Sequence, residues 1–273
     1  MPKSNCHTHT VFCDGSRTPE EMVKAALKLS FESLGFSIHS PLPFESGYAV
    51  EYEKVPEYVN EIKRLKREYA SKIYISNGIE IDRDSLPFDI SDFDFSIGSV
   101  HQLHFDERMY EVDYKPEILL DCAKKEFDGS FQKLAEHYFY LVTDFICAEK
   151  PDIVGHFDLI EKFNENAALF NDADKKYRTA ALEAVDGICD ACPEIIFEVN
   201  TGAMYRCGRT VPYPQKFIMN RLFERKMRIT VTSDAHCTEA LNFAFDECTE
   251  FCRSCGYKSA YIITENGFEE RAL

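Results

Sequence analysis

The chain has 273 residues, 45% hydrophobic and 29% charged, enough to bury a sizeable core as one large α/β barrel or as two ordinary domains. A net charge of −16 and a pI near 5.0 exclude a broad basic surface for holding nucleic acid, so any phosphate-bearing ligand must meet positive charge that is local. There is no run of about 18 apolar residues, and the N-terminal MPKSNCHTHT lacks an apolar leader stretch, so a cytoplasmic protein without a membrane partner is expected.

The first segment, SNCHTHT, reads as a strand ending in His7 and His9. Alternation around Thr8 puts both rings on one side, as a chelating pair requires. Asp14 follows in HTHTVFCDG, where Gly15 permits a tight turn that returns the carboxylate toward the strand end. An amphipathic stretch from Thr18 to Ser30 leads to the strand LGFSI (34–38), closed by His39. The helical stretch Tyr52 to Tyr69 precedes KIYISNGIEI (72–81), which carries Glu80, and FDFSIGSV (93–100), closed by His101. The helix Phe131 to Glu149 precedes DIVGHF (152–157), with His156 near its end. Asp174 to Cys192 precedes IIFEVN (195–200), and Pro214 to Arg225 precedes RITVTSD (228–234). There Asp234 and His236 form a second i and i+2 pair of matched projection. A helix from Glu239 to Ser254 and the segment SAYIITENG, one further strand or edge piece, follow.

Strand then helix, repeated around seven strands, implies parallel pairing with covering helices and favours a barrel related to the TIM architecture. In such a barrel the C-terminal ends of all strands meet at one face. His7, His9, His39, Glu80, His101, His156, Asp234 and His236 would then converge there, and imidazole with carboxylate suits zinc, manganese or iron better than calcium or magnesium. Eleven scattered cysteines, an odd number, read as reduced thiols. The two CxxC pairs, Cys189 with Cys192 and Cys252 with Cys255, lie in helical stretches without the turn of a zinc knuckle and read as buried thiols.

HTHTVFCDG, GFSIHS, GIEID, GSVH, DIVGHFDL and VTSDAH stand in the order and approximate spacing of the polymerase and histidinol phosphatase (PHP) superfamily. The chain resembles the histidinol-phosphate phosphatases within it over essentially its whole length. That resemblance implies a distorted TIM-like barrel of seven β/α units, a single domain over residues 1–273. It implies three divalent transition-metal ions (zinc, manganese or iron) on His7, His9, Asp14, His39, Glu80, His101, His156, Asp234 and His236, with Glu80 bridging two of them. One departure is Ile38, where family members usually have an Asp, which puts the tuning of the neighbouring ligand in doubt rather than metal binding itself.

Three divalent ions outweigh the charge of Asp14, Glu80 and Asp234, so the cluster would draw a phosphate dianion while the acidic remainder turns polyanions away. The expected partner is a small phosphorylated metabolite. Hydrolysis would proceed by in-line attack of a metal-activated hydroxide, with Glu80 and Asp234 holding the ions and no side-chain nucleophile. Arg206 and Arg209, in NTGAMYRCGRTVPYP, and Lys162, in DLIEKF, are the candidate phosphate contacts. Glu161 sits where relatives often show another basic residue. His104 is the candidate near the leaving group, whereas His137 reads as structural. By resemblance the substrate is L-histidinol phosphate, whose cationic end suits carboxylates and aromatic faces; Phe44, Glu45, Tyr48, Tyr52, Asp106 and Glu111 are the places to look. The rivals are a phosphoesterase of the same superfamily acting on another small monoester or a nucleotide, and a non-catalytic metal-binding module, which predicts gaps in the ligand set. The oligomeric state stays open.

Overall fold

The computed structural model describes residues 3–273. In chain order the elements are β1 Ser4–Asn5, α1 Pro19–Lys28, β2 Ser33–His39, α2 Val55–Tyr69, β3 Tyr74–Asp82 and β4 Phe95–Ser99. Next come β5 Gln102–Phe105, β6 Arg108–Glu111, α3 Pro116–Glu126, α4 Phe131–Glu149, β7 Ile153–Val154, α5 Lys175–Ala191 and β8 Ile196–Asn200. The remainder is α6 Gly202–Cys207, α7 Lys216–Glu224, β9 Arg228–Thr232, α8 Phe245–Ser254, β10 Ser259–Thr264 and β11 Gly267–Ala272.

Seven strands, in the order β1-β2-β3-β4-β7-β8-β9, form one parallel sheet that curls into a nearly closed barrel. This is the TIM-like α/β architecture expected. Among the described residues, the first and last strands close the barrel by one bridge, Thr8 to Ala235, with His9 N donating to Ala235 O (2.8 Å) and Ala235 N to His7 O (3.1 Å). The strands are buried on both faces, inside the barrel and beneath the helices, so they read as continuous apolar runs. Two are shorter than the sequence suggests: SNCHTHT pairs regularly only at Ser4–Asn5, and DIVGHF only at Ile153–Val154.

Local chemistry sets the helix starts. Thr18 and Glu21 make a reciprocal capping box on α1, with Pro19 in the first turn. Ser130 caps α4, whose Leu134, Tyr138, Leu141, Val142 and Phe145 form the stripe buried against the sheet and α5. That helix ends at Lys150 in the left-handed region, just before Pro151. The last helix is shorter than its periodicity predicts: a 3-10 turn at Thr238–Ala240 and a left-handed Ala244 break the run, so α8 begins at Phe245. SAYIITENG becomes β10 of an antiparallel hairpin with β11. This hairpin packs on the N-terminal end of the barrel, where Ile263 joins Cys6, Phe95, Ile97, Ile153 and Ile196 in a second apolar cluster. Hairpin β5–β6, helix α3 and the short α6 were not foreseen. Among the described residues, no helix is long and apolar enough to cross a membrane.

Candidate metal centre

Glu80 stands at the hub of the C-terminal face, fully buried at the end of β3. Its Oε2 faces His39 Nδ1 (3.0 Å), His7 Nε2 (3.2 Å) and His9 Nε2 (3.5 Å). Its Oε1 faces His156 Nε2 (3.0 Å) and His101 Nε2 (3.6 Å), and accepts from Ser99 Oγ (2.7 Å). The two oxygens of one carboxylate thus address two sets of imidazoles. Asp234 Oδ1 lies 3.2 Å from His9 Nε2 and 3.5 Å from both His7 Nε2 and His236 Nδ1. Asp14 approaches His236 Nε2 (2.9 Å) and, more loosely, His9 Nδ1 and His39 Nε2 (3.7 Å each). All nine residues singled out in the sequence converge.

The way three of them arrive differs from expectation. Gly15 is required less for an unusual dihedral than for space: a Cβ there would lie 2.4 Å from Thr10 N, where the loop folds back to hold Asp14. Asp234 and His236 do not project from an extended strand, since β9 ends at Thr232 and Asp234 sits in the left-handed region, φ +49°. That turn aims both side chains into the mouth.

A lone buried cluster of this kind is electrostatically incomplete. Burial works against a charge on Glu80, yet the surrounding imidazoles, His39 and His7 foremost, hold its carboxyl well below the usual range. For Asp234 burial is likewise outweighed by Arg206 and His7. Burial opposes the protonation of His7 and His101, but Glu198, Asp234 and Glu80 lift His7 well above its ordinary value, and Asp82 with Glu80 lifts His101 to about 10. Burial lowers His39 to about 3 and also lowers His9. The carboxylates therefore demand cations. Buried His9 Nε2 makes no hydrogen bond although two carboxylate oxygens stand near it, which is the disposition of a ligand atom. Three sets of side chains lie close enough to hold an ion: His7, His9 and Glu80; His39, Glu80 and His101; and His9, Asp14, His39 and His236. The donor types suit borderline divalent ions, and no cysteine of the described residues belongs to any set.

The cluster floors a cavity of about 300 Å³. Its walls add Tyr48, Glu111, Asp113, Tyr114, Leu159, Lys162 and Arg206. Arg206, on α6, donates to Asp234 Oδ2 (2.7 Å), to Asp234 O (2.9 Å) and to His236 Nδ1 (2.7 Å). Lys162 donates to Asp113 (2.9 Å). Two expectations fail. Arg209 points away from the mouth: it is buried, donates to the carbonyl of Glu161 and stacks over Tyr213. His104 is on β5 outside the cavity lining, with Nε2 2.7 Å from Asp84 and its ring beside Phe44. Of the leaving-group candidates, Tyr48 and Glu111 line the cavity, whereas Asp106 sits in the β5–β6 turn and Tyr52 is exposed elsewhere.

Two buried carboxylates escaped the sequence reading. Glu198, inside β8, accepts from His7 Nδ1 (2.5 Å), Thr232 Oγ1 (2.6 Å), His156 N (2.7 Å) and Asn200 Nδ2 (3.0 Å). Asp82, at the end of β3, accepts from His101 Nδ1 (2.6 Å) and from the backbone of Asp84 (2.9 Å) and His101 (3.2 Å). Each fixes the ring and tautomer of a histidine so that its other nitrogen faces the cluster. For Asp82 there was a signal, the i and i+2 relation to Glu80 in GIEID.

The histidinol-phosphatase of Bacillus subtilis is 28% identical over 284 residues, spanning 92% of this chain and all of that protein. The crystal structure of histidinol phosphate phosphatase from Lactococcus lactis, complexed with zinc, L-histidinol and phosphate, superposes with a TM-score of 0.74 at 18% identity, covering 97% of this chain and 98% of that one. At that identity the superposition speaks to the fold. A model of the PHP domain matches residues 5–202, well over half of the sequence, and the chain belongs to that family.

Proposed function

We propose that the chain is a metal-dependent phosphomonoesterase that hydrolyses L-histidinol phosphate to L-histidinol and phosphate. The observation that carries the reaction class is the Glu80 hub: nine side chains of metal-ligand type gather around it, seven of them lining one cavity whose rim also holds Arg206 and Lys162. The complete set argues against a non-catalytic module. Support for the substrate comes from the Bacillus subtilis relative, matched over its whole length, and from the Lactococcus lactis protein, whose crystal structure is a complex with zinc, L-histidinol and phosphate.

His7, His9, Asp14, His39, Glu80, His101, His156, Asp234 and His236 would hold three zinc, manganese or iron ions. When bound, such ions supply Lewis-acid polarisation of the phosphoryl group and a water whose pKa falls toward neutrality. The chain's own groups do the rest. Arg206 offers a planar fork to two phosphoryl oxygens, exchanging its contacts with Asp234 and His236 for the substrate. Lys162 adds a second positive charge at the same rim. Glu111, whose side chain has no hydrogen-bond or ion-pair partner among the described residues, would repel a phosphate and so belongs with the cationic end of the leaving group, in a wall that also carries Tyr48 and Tyr114.

The test is phosphate release by protein loaded with zinc, manganese or iron, on histidinol phosphate beside generic monoesters and nucleotides. Selective turnover of histidinol phosphate is expected. Equal turnover of all substrates would remove the substrate assignment, and none with any metal would remove the reaction class. His101→Ala should lose bound metal and activity together.

A further inference from the structure

The nine side chains do not offer three equivalent positions. The set His7, His9 and Glu80 and the set His39, Glu80 and His101 are buried throughout, whereas the third set includes Asp14, 27% exposed, and His236, 21% exposed. His9 and His39 each belong to an inner set and to the outer one. A neutral imidazole has one nitrogen with a free lone pair while the other carries its proton, so each ring serves one ion. If His9 engages through Nε2 toward Glu80 and Asp234, its Nδ1 keeps the proton, beside the Cys13 thiol at 3.4 Å and Asp14 at 3.7 Å. His39 faces Glu80 with Nδ1 at 3.0 Å and Asp14 with Nε2 at only 3.7 Å. The outer position is left with Asp14 and His236 as ligands of its own.

The backing of the rings points the same way. His7 is locked by Glu198 and His101 by Asp82, each with its outward nitrogen committed to a carboxylate. His236 has no such partner: its Nδ1 meets a donor, the Arg206 guanidinium, at 2.7 Å and an acceptor, the Asp234 carbonyl, at 2.9 Å. Its Nε2 faces Asp14 at 2.9 Å, so an ion held through Nε2 leaves the far side of the ring against a cationic guanidinium, where His7 and His101 have a carboxylate.

We infer that the position built on Asp14 and His236 is the exchangeable one, filled last and emptied first, while the two positions around Glu80 retain their ions. This rests on the metal reading above and adds an order of occupancy to it. The experiment is to load the full-length chain with zinc, challenge it with chelators of graded strength and count retained ions by mass spectrometry. One ion should leave at a chelator affinity about 10- to 100-fold weaker than removes the other two, the span that ring-orienting partners typically control. His236→Asn and Asp14→Asn should each lower the stoichiometry by one and leave two ions tightly held. Glu198→Gln should instead weaken an inner ion by about 10- to 100-fold. Circular dichroism of each ion-free variant identifies a folding fault, and the graded challenge of the unaltered chain decides the question whatever the variants do. Three ions leaving together, or an inner ion leaving first, would overturn the inference. A chain that binds no zinc, manganese or iron would overturn the metal reading itself.

Discussion

Glu161 shows how far a residue can depart from what its neighbours in sequence suggest. It precedes Lys162, which lines the cavity, yet its own side chain is buried on the far side, held by Asn164 (3.1 Å) with one oxygen unpartnered. Burial, and then the charge of Asp158, push its carboxyl up to about 7 from an ordinary 4.5. The folded-state value is raised and the group is an acid, so folding loses stability as pH rises from about 4.5 through 7, with the full cost above that window. Glu161→Gln keeps the carbonyl that Asn164 needs and removes the charge. The variant should melt higher than the unaltered chain at pH 8, by up to about 3 kcal/mol of stability, and match it near pH 4.5. Equal melting points at both pH values would refute this account. Legibility at this scale followed geometry: ligands at strand ends were readable because parallel strands carry their ends to one face. Glu198 was not, because a carboxylate within IIFEVN looks like any alternating strand position until β1 is seen beside β9. Arg209 and His104 went astray because proximity in sequence to the mouth does not decide which way a loop or hairpin side chain turns.

At the scale of elements, the two hairpins sit at opposite ends of the barrel and divide function from stability. Hairpin β5–β6 brings Glu111 to the cavity, an element the sequence concealed because its strands are four residues each and lie directly after a ligand. Glu111→Gln should raise KM for histidinol phosphate about 10-fold, the value of one charge-assisted contact, and leave an aryl phosphate with an uncharged leaving group unaffected; steady-state kinetics on both substrates decides it. Hairpin β10–β11 plugs the other end. Ile263 is 2% exposed there, and Phe268 meets Phe95 edge to face with centroids 6.2 Å apart. Ile263→Ala should cost about 2–5 kcal/mol in denaturant unfolding while metal content stays unchanged, since that end is remote from the ligands. Loss of metal at full folding would contradict this division. The barrel itself was legible from seven alternating units, whereas β10 and β11 were not placed, because a short antiparallel ribbon carries no signal of what it covers.

Taken whole, the molecule sets a strongly acidic surface around a cavity that needs cations. Ion-free, the mouth carries Asp14, Glu80, Glu111, Asp113 and Asp234 against Lys162, Arg206 and His101, a balance that stays negative and hostile to phosphate. Removing metal with a chelator should therefore abolish phosphate binding and also lower the melting temperature. The loaded chain gains about 2.7 kcal/mol when free metal stands at a hundred times its dissociation constant. Calorimetry against metal concentration checks this, and a melting point indifferent to metal would count against it. The barrel's closing bridge, between Thr8 and Ala235, lies among His7, His9, Asp234 and His236, so the ions would bind across the joint as well as within the cavity. The joint also has a timing. Asn5 and Ser233, whose side chains meet there at 2.8 Å, are 228 positions apart, so a ribosome must release most of the chain before the two flanks of the metal cluster can face each other.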